Sequence, residues 1–174
     1  AVSQGSFELT KSLLKKGAVV NAQDFAGKTA LMIAAGKGDM KIVKLLLREQ
    51  GRLDFRDRYG RTAWMYAAEQ QRISMVRFLS NNEIDNHENL FYAVSHGLFK
   101  VVETLLELHA NTEVRDSQGW TPLMWAANNG HAKIVELLLK GGTNINSSNG
   151  KSSNVSGWTP LMLAAGSGHL ETVE

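Results

Sequence analysis

Gly119-Trp120-Thr121-Pro122-Leu123-Met124-Trp125-Ala126-Ala127 is the stretch on which the fold turns. It returns as Gly157-Trp158-Thr159-Pro160-Leu161-Met162-Leu163-Ala164-Ala165. Two looser copies run Gly27-Lys28-Thr29-Ala30-Leu31-Met32-Ile33-Ala34-Ala35 and Gly60-Arg61-Thr62-Ala63-Trp64-Met65-Tyr66-Ala67-Ala68. From Gly27 to Gly60 the offset is 33 residues, and a fixed period of about 20–50 residues is the mark of stacked repeat architectures. Within each copy the threonine reads as a helix N-cap, and the proline after Thr121 and Thr159 occupies the first helical position, where its missing N–H costs nothing. Behind the phrase come apolar runs such as Met40-Lys41-Ile42-Val43-Lys44-Leu45-Leu46-Leu47 and Ala132-Lys133-Ile134-Val135-Glu136-Leu137-Leu138-Leu139. Their i, i+3, i+4 spacing predicts a second amphipathic helix. An Asp-x-x-Gly turn precedes the phrase at Asp24 to Gly27, Asp57 to Gly60 and Asp116 to Gly119. The predicted unit is turn, helix, loop, helix, and helices this short hold only by stacking on their neighbours.

This pattern resembles the ankyrin repeat over essentially the whole chain. The resemblance implies an all-α fold, a solenoid of stacked helix-loop-helix units joined by β-hairpin fingers. We read residues 1–174 as a single such domain with a partial unit at 1–23, units at 24–56, 57–82, 83–115 and 116–153, and a partial unit at 154–174. Three departures stand out. The histidine usual in the family's Thr-Pro-Leu-His phrase is replaced by Met32, Met65, Met124 and Met162, and by Phe91 in a unit without the threonine; its hydrogen bonds are expected to be absent, with apolar packing in their place. Between Gln71 and Gly97 the unit is short, so the segment Asn81 to Asn89 is expected to connect two helices without a projecting finger, Asp85 and Glu88 forming a capping box. Between Gly130 and Gly168 it is long, and Asn149-Gly150 reads as a hairpin turn in a longer, mobile finger over residues 146–156. Ala1-Val2-Ser3-Gln4-Gly5 also matches Ala93-Val94-Ser95-His96-Gly97, as if three units had duplicated as a block. Neither end carries a polar capping repeat, so the chain is expected to belong to something longer.

Composition excludes several functions. The 19 basic and 17 acidic side chains give a net charge of +2, too little to drive the chain as a whole onto nucleic acid or an anionic membrane. No cysteine is present, which removes disulfides, thiolate metal sites and cysteine nucleophiles while leaving the compartment open; the expectation carried forward is cytoplasmic. No run reaches the roughly 18 apolar residues of a membrane span. Gly150-Lys151-Ser152 lacks the glycine that a phosphate loop needs five residues earlier, where Ile145 stands, and His87-Glu88 fails to complete a zinc motif at Phe91. Asn146-Ser147-Ser148 and Asn154-Val155-Ser156 match the glycosylation sequon incidentally in an Asn- and Ser-rich stretch. His131 and His169 follow the loop glycine and read as packing at the start of the second helix. The acidic residues Asp54, Asp57, Glu69 and Glu103 fall at unrelated repeat positions, so no pair is set for acid and base work. No enzyme, cofactor or metal is expected.

The resemblance implies binding of a partner protein through the concave face of finger tips and first-helix ends. Carried onto this chain, it points to Phe25, Lys28, Arg58, Tyr59, Arg61, Ser117, Gln118, Trp120 and Trp158 on the fingers, and to Glu69, Gln70, His96, Asn128 and Asn129 at helix ends. Aromatic and arginine side chains are the usual anchors, so Tyr59, Arg61, Trp120 and Trp158 rank first. Arg56, Arg58 and Arg61 together fit an acidic or phosphorylated patch on that partner. The expected role is a non-catalytic scaffold or adaptor; the alternative is a regulatory or substrate-recruiting domain of a larger enzyme or channel.

Overall fold

The computed structural model describes residues 6–82, 87–150, 157–169 and 172. They fall into two compact units, residues 1–84 and 85–174. In the first lie α1 (Phe7–Lys15), α2 (Ala30–Lys37), α3 (Met40–Arg48), α4 (Ala63–Glu69) and α5 (Ile73–Ser80). The second holds α6 (His87–Ser95), α7 (Phe99–Glu107), α8 (Pro122–Asn128), α9 (Ala132–Lys140) and α10 (Pro160–Gly166).

Each unit is built as the periodicity predicts. Thr29, Thr62, Thr121 and Thr159 are all N-caps, their hydroxyls accepting the backbone N–H three residues on at 3.3–3.4 Å. First helices pack on first helices, α2 on α4 and α6 on α8 on α10, and second helices flank them, α1 against α3 and α7 against α9. The alanine pairs explain the close approach. Ala34, Ala35, Ala67, Ala68, Ala126 and Ala127 are at most 1% exposed, and a methyl group lets one helix axis settle against the next without a void. Larger side chains fill the space between layers. Leu31, Ile42, Leu46, Trp64, Leu79, Leu105, Leu123 and Leu138 are buried, and each such side chain stabilises the stack by about 1.5–3 kcal/mol. Trp64 satisfies its indole N–H on the Ser80 hydroxyl at 2.9 Å.

Methionine does more at the histidine position than fill space. The Thr29 N–H donates to the Met32 sulfur and the Thr121 N–H to the Met124 sulfur, both at 3.4 Å, so a thioether closes the capping box from the other side. The expectation of purely apolar packing there is corrected. Met162, the equivalent in α10, is 52% exposed.

The strand hairpins expected of the fingers are not seen among the described residues. Among the described residues no strand forms, and one isolated bridge pairs Gln23 with Thr29. The three fingers led by an aspartate are turns tied to that residue. Asp24 Oδ1 accepts the N–H of Ala26 and of Lys28, both at 2.8 Å; Asp57 receives Tyr59 and Arg61, and Asp116 receives Gln118 and Trp120, at 2.8–2.9 Å. Carboxylate acceptors satisfy the donors that a ladder would otherwise pair, so the turn is complete with no second strand.

Between α5 and α6 lie residues 81–86, against 49–62 between α3 and α4; Asp85 itself falls outside the described residues, as does its capping box. The long finger is placed differently from its reading. Asn149, 33 residues beyond Asp116, takes the aspartate's role: its Oδ1 accepts the Trp158 N–H at 2.7 Å and its carbonyl accepts the Gly157 N–H at 3.1 Å. Asn149 is therefore the buried base of the finger and not its tip, and the extra residues fall between it and Gly157. Residues 151–156, Val155 and Ser156 among them, lie outside the described residues.

Candidate functional site

In the first unit, two neighbouring fingers are held in register by backbone contact. The Arg58 N–H donates to the Ala26 carbonyl at 3.0 Å, the Arg58 guanidinium to the Phe25 carbonyl, and Gln23 to the carbonyls of Gly27 and Arg56 at 2.6 and 3.0 Å. Gly27 makes this approach possible. Its φ is +79°, and a Cβ there would meet the Arg58 N and Asp57 Cα at 3.0 Å. On these fixed turns Phe25 is fully exposed and Tyr59 is 71% exposed.

Beneath Tyr59 lies a network that residue spacing did not announce. The Asp57 side chain has no solvent exposure. Besides the two backbone donors, it takes the Tyr66 hydroxyl at 2.8 Å and the Arg61 Nε at 3.0 Å. Burial pushes its pKa up, but the donors from Arg61, Tyr66 and Tyr59 outweigh that and hold it at about 2. Tyr66, itself desolvated and donating to that carboxylate, is raised to about 12. Arg61 also donates to the Tyr66 hydroxyl at 2.9 Å, lies 3.4 Å from Glu69, and stacks over Tyr66 and Tyr59 at 4.7 and 5.2 Å. Lys28 Nζ stands over the Tyr66 ring, 5.5 Å from its centroid. The structure thus gathers Lys28, Tyr59, Arg61 and Glu69 around Tyr66, a residue that sequence reasoning passed over. An aromatic donor nine residues after the finger aspartate was the available signal. Gln70 is exposed at the α4 end, and Arg56 donates to the Gly60 carbonyl at 2.9 Å.

The second unit repeats the device with a different donor. Trp125, nine residues after Asp116, donates its indole N–H to Asp116 Oδ2 at 2.8 Å, and the Trp120 ring tilts against it with centroids 5.2 Å apart. Trp158 reaches over Gly166, where a Cβ would lie 3.2 Å from its ring. Both Trp120 and Trp158 are half-buried; they fold back onto the first helices and do not stand free in water. Ser117 and Gln118 are exposed at the finger tip. His96 is exposed and stacks on Tyr92 at 4.1 Å. Asn129 donates to the Ser95 carbonyl at 3.2 Å and to no finger, while Asn128 accepts from Ser167 at 3.3 Å. His131 and His169 sit against Gly97 and Gly130, as packing at the helix start requires. A cleft of about 460 Å³ beside α8, α9 and α10 is lined chiefly by apolar side chains, among them Leu123, Val135, Leu139 and Leu161.

Among the described residues, no three His, Asp or Glu side chains are placed to hold a metal ion, and no helix is long and apolar enough to cross a membrane. The comparisons with known proteins agree with the repeat. The human ankyrin repeat and SAM domain-containing protein 3 is 38% identical over 69 residues, 39% of this chain and 10% of that protein. The human transient receptor potential cation channel subfamily A member 1 is 41% identical over 61 residues, 33% of this chain and 6% of that protein. The chain therefore spans a tenth or less of the length of these curated relatives. A crystal structure of an ankyrin repeat domain from Acinetobacter baumannii AYE superposes with a TM-score of 0.75 at 26% identity, over 99% of this chain and 92% of that one. The ankyrin repeat domain of Bcl-3 shares the fold, with a TM-score of 0.79 at 24% identity over 94% and 75% of the two chains. A family model described as ankyrin repeats (3 copies) matches residues 1–89 and again 90–174, so that every part of the sequence lies within a match, and the chain belongs to the ankyrin repeat family.

Proposed function

We propose that this chain is a non-catalytic adaptor that binds a partner protein through its fingers and first-helix ends, acting in the cytoplasm as a single ankyrin repeat domain. Ankyrin repeats are in general protein-interaction modules without chemistry of their own. One observation carries the reading here: Phe25 and Tyr59 stand in water at 103% and 71% exposure on two fingers locked together by Asp24, Asp57 and the Arg58–Ala26 bond. Large aromatic side chains held rigid in solvent pay little ordering entropy on binding and are the commonest interface anchors. Phe25 and Tyr59 therefore rank above Trp120 and Trp158, whose rings already spend much of their area on Trp125 and Gly166. Arg61 is committed to Asp57, Tyr66 and Glu69, and Arg56 to Gly60, so an acidic or phosphorylated patch on the partner would engage chiefly the exposed Arg58, with Lys28 on the neighbouring finger. The Phe25→Ala, Tyr59→Ala double variant should weaken partner binding by about 2 kcal/mol or more with little change in melting temperature. Retained affinity would refute this placement of the site.

A second reading makes the repeats a regulatory or recruiting part of a larger protein. It is favoured by the curated relatives, of which the matched segments are small parts and one of which is a cation channel. Sequence on either side of residues 1–174 decides between the two.

A further inference from the structure

A total charge of +2 conceals an uneven division. Residues 1–84 hold 14 of the 19 basic side chains and 8 of the 17 acidic ones, a balance of +6; residues 85–174 hold 5 and 9, a balance of −4. In the first unit the fingers do not account for the excess, because Asp54, Asp57 and Glu69 offset Arg52 and Arg61 there. The second helices do. α1 and α3 carry Lys11, Lys15, Lys41, Lys44 and Arg48, with Lys16 at the α1 C-cap. All six are exposed and, among the described residues, none is ion-paired. Against them stand only Glu8 and Glu49, since Asp39 is occupied in capping α3 through the Ile42 N–H.

The cations repeat in register. Lys11, Lys44 and Arg77 are each the fifth residue of their helix, α1, α3 and α5, at intervals of 33. Lys44 Nζ stands over the Phe78 ring of α5 at 5.4 Å, which ties the second and third rungs together. The same fifth position in α7 and α9 holds Glu103 and Glu136, each within reach of a lysine on its own helix, Lys100 at 2.9 Å and Lys140 at 3.8 Å. That face of the second unit is self-neutralised. In the first unit Lys11 with Lys15, and Lys44 with Arg48, are like charges at i, i+4, an arrangement that weakens a helix. Lys15 and Arg48 suit helix C-termini and Lys44 has the Phe78 ring; Lys11 and Lys41 have no such local reason.

We propose that the second-helix face of α1, α3 and α5 is a docking surface separate from the fingers, and that its occupant is a short acidic segment of a protein, lying across the helices with carboxylates at every third residue. Packed helix axes stand about 8–10 Å apart, and three residues of a polyproline II segment advance about 9 Å with side chains on one face. Carboxylates three apart therefore meet Lys11 and Lys44 in turn, with Lys15, Lys41 and Arg48 flanking and α5 forming the next rung. Three rungs make a patch roughly 20 Å wide. A nucleic acid duplex or an anionic membrane outruns that width and leaves most of its charge unmatched by the patch. The face also offers no exposed aromatic ring for base stacking, Phe78 being half-buried under Lys44.

Fluorescence anisotropy on the full chain tests this with a labelled nine-residue peptide carrying Glu at positions 1, 4 and 7 in a proline background, beside a Ser-substituted peptide, a 12-base-pair duplex and vesicles containing phosphatidylserine. We expect the Glu peptide to bind in a salt-dependent way and the Lys11→Gln, Lys44→Gln, Arg48→Gln variant to bind it at least tenfold more weakly. The Phe25→Ala, Tyr59→Ala and the Lys100→Gln, Lys133→Gln variants should bind it as the parent does, which keeps this outcome separate from that of the finger site. The melting temperature of the triple variant should stay close to the parent's, because relief of the like-charge repulsion offsets the lost Lys44–Phe78 contact and the Arg48 charge at the helix end. Equal affinity for the Ser peptide, undiminished binding by the triple variant, or tighter binding of duplex or vesicles through the same lysines would each overturn the proposal.

Discussion

At the scale of single residues, the finger aspartates decide most. Asp57 is ionised in a place with no solvent, and the donors around it keep its pKa near 2. A carboxylate whose folded pKa lies below its unfolded value of 3.8 adds stability that is fully present above about pH 4 and disappears as pH falls through 2. Asp57→Asn should therefore lower stability by about 2 kcal/mol at pH 7, and the gap between variant and parent should close on acidification; urea titrations at pH 7, 4 and 2.5 check this, and a gap that stays constant would show that charge is not its cause. Asn149 already serves as the uncharged version in the last finger. Tyr66, held near 12, runs the other way: its contribution is present below pH 10 and lost above about 12. Replacing Trp125 by Phe removes one donor from Asp116 and should cost about 1–2 kcal/mol, read as a fall in melting temperature.

At the scale of elements, much was legible beforehand. The four N-cap threonines, the alternation of first and second helices and the core alanine pairs follow from local rules that act within a few residues, capping geometry and 3.6-residue periodicity. What was not legible depends on contacts between neighbouring repeats. The Asn149-Gly150 dipeptide carries a strong local turn signal, yet tertiary register makes Asn149 the base of the finger, because the turn-closing role falls 33 residues after Asp116 whatever the dipeptide prefers. The hairpin expectation is not met among the described residues, where side-chain carboxylates accept donors that a ladder would have used. Trp120 and Trp158 were ranked as aromatic anchors on the fingers, but neighbouring residues on the first helices, Trp125 and Gly166, take up part of each ring. The glycines give an element-scale prediction. Gly27 and Gly60 have the same φ, +79° and +77°, but only at Gly27 would a Cβ strike the backbone of the next finger. Gly60→Ala should cost about 1–2 kcal/mol for the left-handed backbone alone, and Gly27→Ala measurably more; equal costs in thermal melts would mean the fingers are not in contact.

At the scale of the whole molecule, near-neutrality misled, because a sum over 174 residues hides a basic first unit and an acidic second one. Neither composition nor repeat matching exposes that; it emerges once the units are delimited and the second helices are aligned by position. The family is shown by motifs that recur four times, whereas the binding residues are individual to this chain and had to be read from exposure and from which donors are already spent. The finger site is tested most directly by placing a photoreactive phenylalanine analogue at Phe25, with the same label at Lys133 as a control, recovering what crosslinks in cells, and titrating that protein against the intact chain and the Phe25→Ala, Tyr59→Ala variant. A partner that crosslinks from position 25 and not from 133, and whose affinity drops about 30-fold or more in the variant while the melt stays put, is the predicted result. Crosslinking from both positions alike, or an affinity unchanged in the variant, would contradict it.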